Sequence, residues 1–178
     1  DLHTACQQAM KGFAFQAEQK NIDLYLVIEP EVPQKVMGDP LRLGQVLQNL
    51  LGNALKFSDT GWVKLRVQHL SQADAKVRCS FEVSDTGIGI PEDKIQMIFS
   101  PFSQADASVN RKFGGSGLGL SIAKNLVNLM AGHIKVKARE GGGSVFTFTA
   151  EFEVVKDSVL ALNAPSTSCL LYTSDAAD

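Results

Sequence analysis

Three short segments, far apart in the chain, most constrain its fold, because each lies where a helix or a strand begins or ends. They are N-L-L-G-N-A-L-K-F at residues 49–57, D-T-G-I-G-I at 85–90 and G-G-S-G-L-G-L at 114–120. The first offers amides and a lysine, the second a carboxylate before two glycines, and the third a glycine-rich loop that runs into a helix. In this order they predict one nucleotide pocket, most simply an ATP site, assembled from elements distant in sequence.

The composition is compatible with such a pocket in a single soluble domain. The chain has 178 residues, of which 44% are hydrophobic and 20% charged, and its net charge is −2. That length is enough for a sizeable core, and no basic stripe indicates nucleic-acid binding. No apolar run approaches the ~20 residues of a membrane span. Cys6, Cys79 and Cys169 are widely spaced and include no C-x-x-C pair, which favours a reducing, cytoplasmic setting.

The spacing of apolar residues predicts helices alternating with strands. The predicted helices are residues 2–20, 39–57, 91–98 and 117–130. The predicted strands are residues 22–28, 35–37, 62–70, 76–84, 134–138 and 145–155, with a polar loop at 71–75. Asp39 and Pro40 supply an N-cap carboxylate and a proline at the first helical position, and Gly132 ends the last helix. These elements predict an α+β two-layer sandwich with helices on one face of a mixed sheet.

The end of the chain is predicted to lie outside this fold. Periodicity is lost from about Ser158, so the chain divides into a domain at residues 1–156 and a tail at residues 157–178. The tail reads either as a linker to a further domain or as a translated cloning or sequencing artefact, and we favour the second. In both cases it is left out of the fold prediction.

The helix at residues 39–57 has two faces. Its apolar residues form one face toward the sheet, whereas Asn49, Asn53 and Lys56 align on another because they are four and three residues apart. An amide oxygen suits Mg²⁺, which takes phosphate oxygens and water as its other ligands, so Asn53 is the predicted metal ligand. Lys56 would neutralise phosphate charge. A solvated polar face explains this segment equally well when it is taken alone.

Asp85 is predicted to end a buried strand, with Gly87 and Gly89 directly after it. A carboxylate accepts hydrogen bonds, and the exocyclic amine of adenine donates them, whereas guanine presents an oxygen at the corresponding position. A buried Asp85 would therefore select adenine, and the two glycines would let the backbone approach the base. In isolation, an ordinary Asp-Thr-Gly turn is the better interpretation of these residues.

The third segment places four glycines at the start of a helix, namely Gly114, Gly115, Gly117 and Gly119. Free N–H groups and the helix dipole at such a position bind phosphate oxygens. The segment lacks the lysine of a P-loop and does not follow a strand directly, as a dinucleotide fingerprint does. The alternative is a glycine hinge, and both interpretations hold if the segment closes over a ligand.

Taken together, the segments resemble the catalytic, ATP-binding domain of sensor histidine kinases, including the hybrid type. This domain is a branch of the GHKL ATPase group, shared with gyrase, the heat-shock chaperones and MutL. Residues 39–57 resemble the N box, 85–90 the first glycine box, 99–102 the F box, 115–120 the second glycine box and 141–143 a further glycine motif. The resemblance covers roughly residues 1–152. It implies the Bergerat α/β sandwich, with residues 99–114 as an ATP lid.

The resemblance also implies roles for single residues. Asn53 would hold Mg²⁺, Asn49 and Lys56 would contact phosphates and act in catalysis, and Asp85 would bind the adenine amine beside Phe57. The nucleotide contacts implied in this way are Asn49, Asn53, Lys56, Phe57, Asp85, Gly87, Gly89, Ile90, Phe102, Gly115, Ser116, Gly117, Leu118, Gly119 and Leu120.

Asn49 distinguishes branches of this group. Its hydrolases carry a glutamate four residues before the metal-binding asparagine, as general base for water, and an amide cannot take a proton. Transfer of the γ-phosphate to a protein group is therefore favoured over transfer to water. Arg111 and Lys112, in the lid, are further candidates for contacting the γ-phosphate, and a solvated charge pair is an equally good interpretation of them.

The phosphoacceptor of the family is missing from this sequence. His3, in the opening helix, lacks the family's S-H-E-x-R-T-P context, and His69 and His133 are interpreted as surface residues. We therefore expect a monomeric fragment that binds ATP, with its phosphoacceptor on the dimerising helical hairpin of a homodimeric parent and with a response-regulator receiver domain as indirect partner. The alternatives are an ATP hydrolase or clamp, a non-catalytic nucleotide-sensing module of the same fold, and a serine-directed kinase of related fold.

Overall fold

The computed structural model describes residues 1–102 and 117–155, together with the backbone of residues 168–172. Its helices are α1 (Leu2–Lys11), α2 (Ala14–Gln19), α3 (Pro40–Lys56) and α4 (Gly119–Leu129), with a 3-10 helix at Glu92–Lys94. Its strands are β1 (Ile22–Ile28), β2 (Val36–Met37), β3 (Gly61–Ala73), β4 (Lys76–Asp85), β5 (Ile134–Ala138), β6 (Ser144–Val154) and β7 (Ser168–Tyr172). Within these ranges, no helix has the length and apolar character that a bilayer crossing needs.

The strands form one mixed sheet in the order β2-β6-β4-β3-β1-β7, with β5 also paired to β6. Only β1 and β3 are parallel among these pairs, and the others are antiparallel. A parallel pair needs a crossover connection, and α3 lies in the connection between β1 and β3. The buried residues of the helices and of the sheet make one hydrophobic core. The predicted α+β sandwich is confirmed.

Both ends of α3 are held by side chains. The Asp39 carboxylate accepts hydrogen bonds from the backbone N–H groups of Leu41 and Arg42, at 2.9 and 3.2 Å, as the sequence predicts for an N-cap. At the other end, the Lys20 ammonium donates to the carbonyl oxygens of Leu55 and Ser58, at 2.7 and 3.1 Å. A cation there complements the helix dipole. The buried face of α3 consists of Leu43, Val46, Leu47, Leu50, Leu51, Ala54 and Leu55.

The prediction of one helix over residues 2–20 is wrong, because α1 ends at Lys11 and α2 begins at Ala14. Gly12 is a poor helix former. Phe13 follows it, and the Phe13 ring packs so close to α3 that a Cβ on Gly52 would lie 3.7 Å away. Tertiary packing at this point therefore outweighs the helical spacing of the apolar residues.

Two other elements differ from their predicted bounds. The predicted helix at residues 91–98 contains only the 3-10 helix, because its backbone hydrogen bonds mostly span three residues, as from Lys94 to Pro91 and from Ile95 to Glu92. The predicted loop at residues 71–75 shrinks to two residues, since β3 continues to Ala73 beyond a register shift between His69 and Ser71. The helix predicted from residue 117 begins two residues later, at Gly119.

Part of the tail pairs with the sheet, although the sequence places the tail outside the fold. The backbone of β7 runs antiparallel to β1, with Ile28 opposite Ser168 and Leu24 opposite Tyr172. Main-chain hydrogen bonds make this pairing, so it requires no apolar periodicity in the added segment. The other tail residues lie outside the described residues, and the domain boundary near residue 156 stays a prediction.

Candidate nucleotide-binding site

The Asp85 carboxylate lies at the end of β4 and is buried, with 4% of the residue exposed. Its Oδ1 accepts hydrogen bonds from the Gly87 N–H at 2.8 Å and from the Ser144 N–H at 3.3 Å. Its Oδ2 accepts one from the Ser144 hydroxyl at 2.5 Å. An ionised carboxylate can accept about four hydrogen bonds. The described residues supply three donors, so Oδ2 keeps capacity for one more donor.

Ser144 belongs to the candidate site through its hydrogen bonds to Asp85, although no sequence motif predicts it. It is the first residue of β6 and follows the predicted glycine motif directly. The register between β4 and β6 places Val145 opposite Ser84, which brings Ser144 beside Asp85. The sequence signal is a small hydroxyl residue at the end of a glycine turn, and it becomes informative only when the pairing of these two strands is known.

Two glycines let separate segments meet at Asp85. A Cβ on Gly143, whose φ is +96°, would lie 2.0 Å from the Asp85 carbonyl oxygen. A Cβ on Gly87 would lie 2.4 Å from the Phe57 carbonyl oxygen, which also accepts a hydrogen bond from the Ile88 N–H at 3.1 Å. Only a residue without a side chain allows these approaches. The end of α3, the end of β4 and the turn before β6 therefore converge on one place.

The first and third predicted segments also meet. The Asn49 side-chain amide donates to the Gly119 carbonyl oxygen at 3.0 Å, so α3 contacts the first turn of α4. Asn53 and Lys56 are half-buried on α3. The Lys56 ammonium lies 5.1 Å from the centre of the Phe57 ring, which is a cation–π geometry. The first segment thus contacts both of the others, the third at Asn49 and the second at Phe57.

The remaining predicted contacts differ in their exposure and in their neighbours. Gly89 approaches the turn before β6, since a Cβ on it would lie 3.1 Å from the Gly143 carbonyl oxygen. Phe102 is 76% exposed and has a positive φ of 59°. Ile90, Gly117, Leu118 and Leu120 are half-buried. Gly114, Gly115, Ser116, Arg111 and Lys112 lie outside the described residues, as does most of the predicted lid.

A buried hydroxyl without a partner lies next to this region. The Ser58 side chain is fully buried, and its Oγ has no hydrogen-bond partner within the described ranges. A Cβ on Gly87 would lie 2.9 Å from that oxygen. Buried polar groups are usually hydrogen-bonded. The orphaned oxygen and the remaining acceptor capacity of Asp85 are compatible with a polar ligand at this end of α3.

Comparison with known proteins gives three relevant similarities. BarA of Escherichia coli K12, a signal transduction histidine-protein kinase, is 38% identical over 169 residues, which cover 95% of this chain and 18% of BarA. RcsC, a sensor histidine kinase of the same strain, is 46% identical over 129 residues, covering 72% of this chain and 13% of RcsC. The crystal structure of full-length ShkA in complex with AMPPNP has a TM-score of 0.72 and 33% identity, covering 87% of this chain and 31% of ShkA. The chain therefore spans less than a fifth of the length of BarA or RcsC.

A family model described as histidine kinase-, DNA gyrase B-, and HSP90-like ATPase matches residues 38–154. The match begins just before α3, ends with β6 and includes Asn49, Asp85 and Ser144. The family resemblance of the sequence is thereby confirmed. The chain belongs to the histidine kinase-, DNA gyrase B-, and HSP90-like ATPases, and within them it is an ATP-binding catalytic domain of the histidine-kinase type.

Proposed function

We propose that this domain passes the γ-phosphate of ATP to a histidine on a dimerisation domain outside this chain. The phosphoryl group would then pass to the receiver domain of a response regulator, and the parent protein would act as a homodimer. The observation that carries the proposal is the buried Asp85 carboxylate, which keeps one acceptor position where α3, β4 and the turn before β6 converge. The free thiols of Cys6 and Cys79 support a reducing, cytoplasmic setting.

Adenine is the base that this carboxylate fits. The exocyclic amine of adenine donates to a carboxylate oxygen, whereas the oxygen of guanine at the same place would be repelled by it. Phe57 lies at the end of α3, and its carbonyl oxygen lies against Gly87. Its aromatic ring would pack near the base. Ser58 supplies a further polar group on the same side.

The phosphates would lie along α3 toward α4. The N-terminus of α4 offers backbone N–H groups to phosphate oxygens, and Lys56 and Asn49 would contact the phosphate chain. When bound, Mg²⁺ would neutralise phosphate charge, with the Asn53 amide oxygen as its protein ligand. Lid residues Arg111 and Lys112 are proposed as further contacts of the γ-phosphate.

The transfer itself requires positioning more than covalent help from this domain. An imidazole nitrogen of the acceptor would form a bond to the γ-phosphorus as the bond to the β–γ bridging oxygen breaks, and ADP would leave. Asn49 cannot act as a general base toward water, since an amide does not accept a proton at neutral pH. This residue favours transfer to a protein group over hydrolysis.

Calorimetric titration tests the nucleotide site. We expect ADP and a non-hydrolysable ATP analogue to bind, the analogue more tightly with Mg²⁺, and GTP to bind more weakly. Asp85→Asn places an amide that donates where adenine needs an acceptor, so ADP affinity should fall by about 10- to 100-fold, as for a lost charged hydrogen bond. Glu82→Gln is the matched control, because Glu82 is another carboxylate of β4 and accepts its hydrogen bond from Ser84, not from the residues around the Asp85 carboxylate. Equal ADP binding by Asp85→Asn would contradict this assignment.

Phosphotransfer tests the reaction. The domain is mixed with labelled ATP, Mg²⁺ and the helical hairpin of a related histidine kinase, and acid-labile label on the hairpin is the expected result. Steady release of inorganic phosphate without the hairpin would instead indicate an ATP hydrolase. Binding without either reaction would indicate a nucleotide-sensing module.

A further inference from the structure

Arg139 contacts the backbone of Asp85 rather than its carboxylate, and no sequence motif includes this arginine. It lies between β5 and β6, and its side-chain Nε donates to the Asp85 carbonyl oxygen at 3.0 Å. Its backbone N–H donates to the Gly143 carbonyl oxygen, also at 3.0 Å. One residue therefore ties the glycine turn to the backbone of the residue that carries the buried carboxylate.

The guanidinium of Arg139 is itself held in place by an aromatic ring. Its central carbon lies 5.1 Å from the centre of the Trp62 ring. The same ring has the Lys64 ammonium at 5.2 Å and Tyr25 in an edge-to-face contact at 6.5 Å. These contacts fix the orientation of the indole, and a stacked guanidinium takes its orientation from the ring beneath it.

Trp62 also contacts the residue that follows Asp85. Its backbone N–H donates to the Thr86 hydroxyl at 2.9 Å, and the Thr86 N–H donates to the Trp62 carbonyl oxygen at 3.2 Å. The peptide group between Asp85 and Thr86 is thus held at its carbonyl by Arg139 and at its N–H by Trp62. The direction in which the Asp85 side chain leaves the backbone depends on the orientation of this peptide group.

We propose that Arg139 is a positioning residue for adenine recognition, which aims the Asp85 carboxylate by fixing the Asp85 backbone against Trp62. This inference rests on the adenine-binding role of Asp85 given under the proposed function. Arginine suits the task because a planar guanidinium can stack on an indole and donate in its own plane at once. A lysine would keep the charge but would lose this geometry.

The test uses the purified chain with Arg139→Lys and Arg139→Gln, titrated by calorimetry with ADP, GTP and inorganic tripolyphosphate. Arg66→Lys is the matched control, because Arg66 lies on the same strand as Trp62 and pairs with Glu29 at 2.6 Å, away from the site. We expect ADP to bind about threefold to tenfold more weakly to both Arg139 variants, as for one lost hydrogen bond that acts indirectly. Tripolyphosphate binding should not change, because this ligand has no base. The ratio of the ADP affinity to the GTP affinity should fall, because only the recognition of adenine is weakened.

Trp62 supplies a second, spectroscopic measurement, because it is the single tryptophan of the chain. In the unmodified chain, ADP should alter the indole emission through Arg139 and the Asp85–Thr86 peptide. The change should be smaller in Arg139→Lys than in Arg66→Lys, each at saturating ADP.

The outcomes separate this inference from the proposed function. Unchanged ADP affinity, purine preference and emission response in both Arg139 variants would overturn the inference and leave the proposed function standing. Equal weakening of ADP and tripolyphosphate binding, or unfolded variants by circular dichroism, would make Arg139 a general structural residue and would also overturn it. If the unmodified chain binds no adenine nucleotide, the proposed function fails first.

Discussion

Ser144 supplies two of the three hydrogen bonds that the Asp85 carboxylate accepts from the described residues. One comes from its backbone N–H and persists in any non-proline variant, whereas the other depends on its hydroxyl. The two residues are 59 positions apart in sequence. Substitution at Ser144 therefore separates the contribution of a side chain from that of the turn that carries it.

Ser144→Ala is expected to weaken ADP binding by about fivefold, because Oδ2 loses a donor worth about 1 kcal/mol. Ser144→Thr keeps the hydroxyl and should restore most of the affinity. Calorimetric titration of both variants with ADP measures the difference. Indistinguishable affinities of the alanine and threonine variants would show that the backbone N–H alone orients the carboxylate.

The sequence predicts Asp85 as a candidate site residue but not Ser144 or Arg139. Asp85 stands out because a carboxylate ends an apolar strand before two glycines, and this signal is local. Ser144 and Arg139 acquire their roles through the pairing of β4 with β6 and through the turn beside it. Spacing along one segment carries no information about such cross-strand neighbours.

At the scale of elements, helix ends show the same contrast between local sequence signals and contacts from distant residues. Asp39 and Pro40 mark the start of α3 by local chemistry, and the structure confirms this start. The Lys20 ammonium at the other end comes from a residue 35 positions before Leu55, so no local pattern reveals it. The sequence likewise does not predict the break between α1 and α2 at Gly12, because this break depends on how Phe13 packs against α3.

Two glycines at helix ends should respond oppositely to alanine. Gly12 has right-handed helical angles, φ −58° and ψ −22°, and a Cβ there would make only an ordinary contact, 3.4 Å from the Ala9 carbonyl oxygen. Gly12→Ala should raise the free energy of unfolding by about 0.4–1 kcal/mol, by restricting the unfolded chain.

Gly132→Ala is the contrasting variant, because a Cβ there would lie 1.7 Å from the Thr149 carbonyl oxygen. It should lower the free energy of unfolding by about 3 kcal/mol, as for an overpacked core, or prevent folding. Urea unfolding curves of both variants provide the comparison. A destabilised Gly12→Ala would mean that the break between α1 and α2 needs glycine.

For the whole molecule, the two buried thiols make the free energy of unfolding depend on pH. Burial raises the pKa of Cys6 from 9.0 to about 12, with a further contribution from the charge of Cys79, and burial likewise raises the pKa of Cys79 to about 12. Because the pKa values of these thiols are higher in the folded than in the unfolded chain, their contribution to the free energy of unfolding is fully present below pH 9. It should be lost as pH rises toward 12, since the unfolded chain releases these protons first.

This prediction is measured with Cys169→Ser as background, which leaves the two buried thiols as the only cysteines. Alkylation requires a thiolate, so labelling at pH 8 should occur only through opening of the core and should slow when ADP is added. A variant that also carries Cys6→Ala and Cys79→Ala should lose less stability above pH 9. Rapid labelling of the folded protein would contradict the burial of these thiols.

The class of fold was predictable from sequence because helical and alternating apolar patterns follow one another clearly. Strand order was not, since the β2-β6-β4-β3-β1 arrangement is set by long-range pairing. The three motifs taken together predict that distant segments meet in one pocket, and the resemblance to a known family adds roles for single residues. In the structure, the contacts between Asn49 and Gly119 and between Gly87 and Phe57 join these segments.

The pairing of β7 with β1 has a consequence for solubility. β1 carries Leu24, Leu26 and Ile28 beside an edge whose N–H and C=O groups are taken up by the backbone of β7. An uncovered edge of this kind offers the same groups to any extended chain, including a second copy of the protein. A segment that occupies this edge would block such pairing, and β3 and β1 separate it from β4 and the candidate nucleotide site.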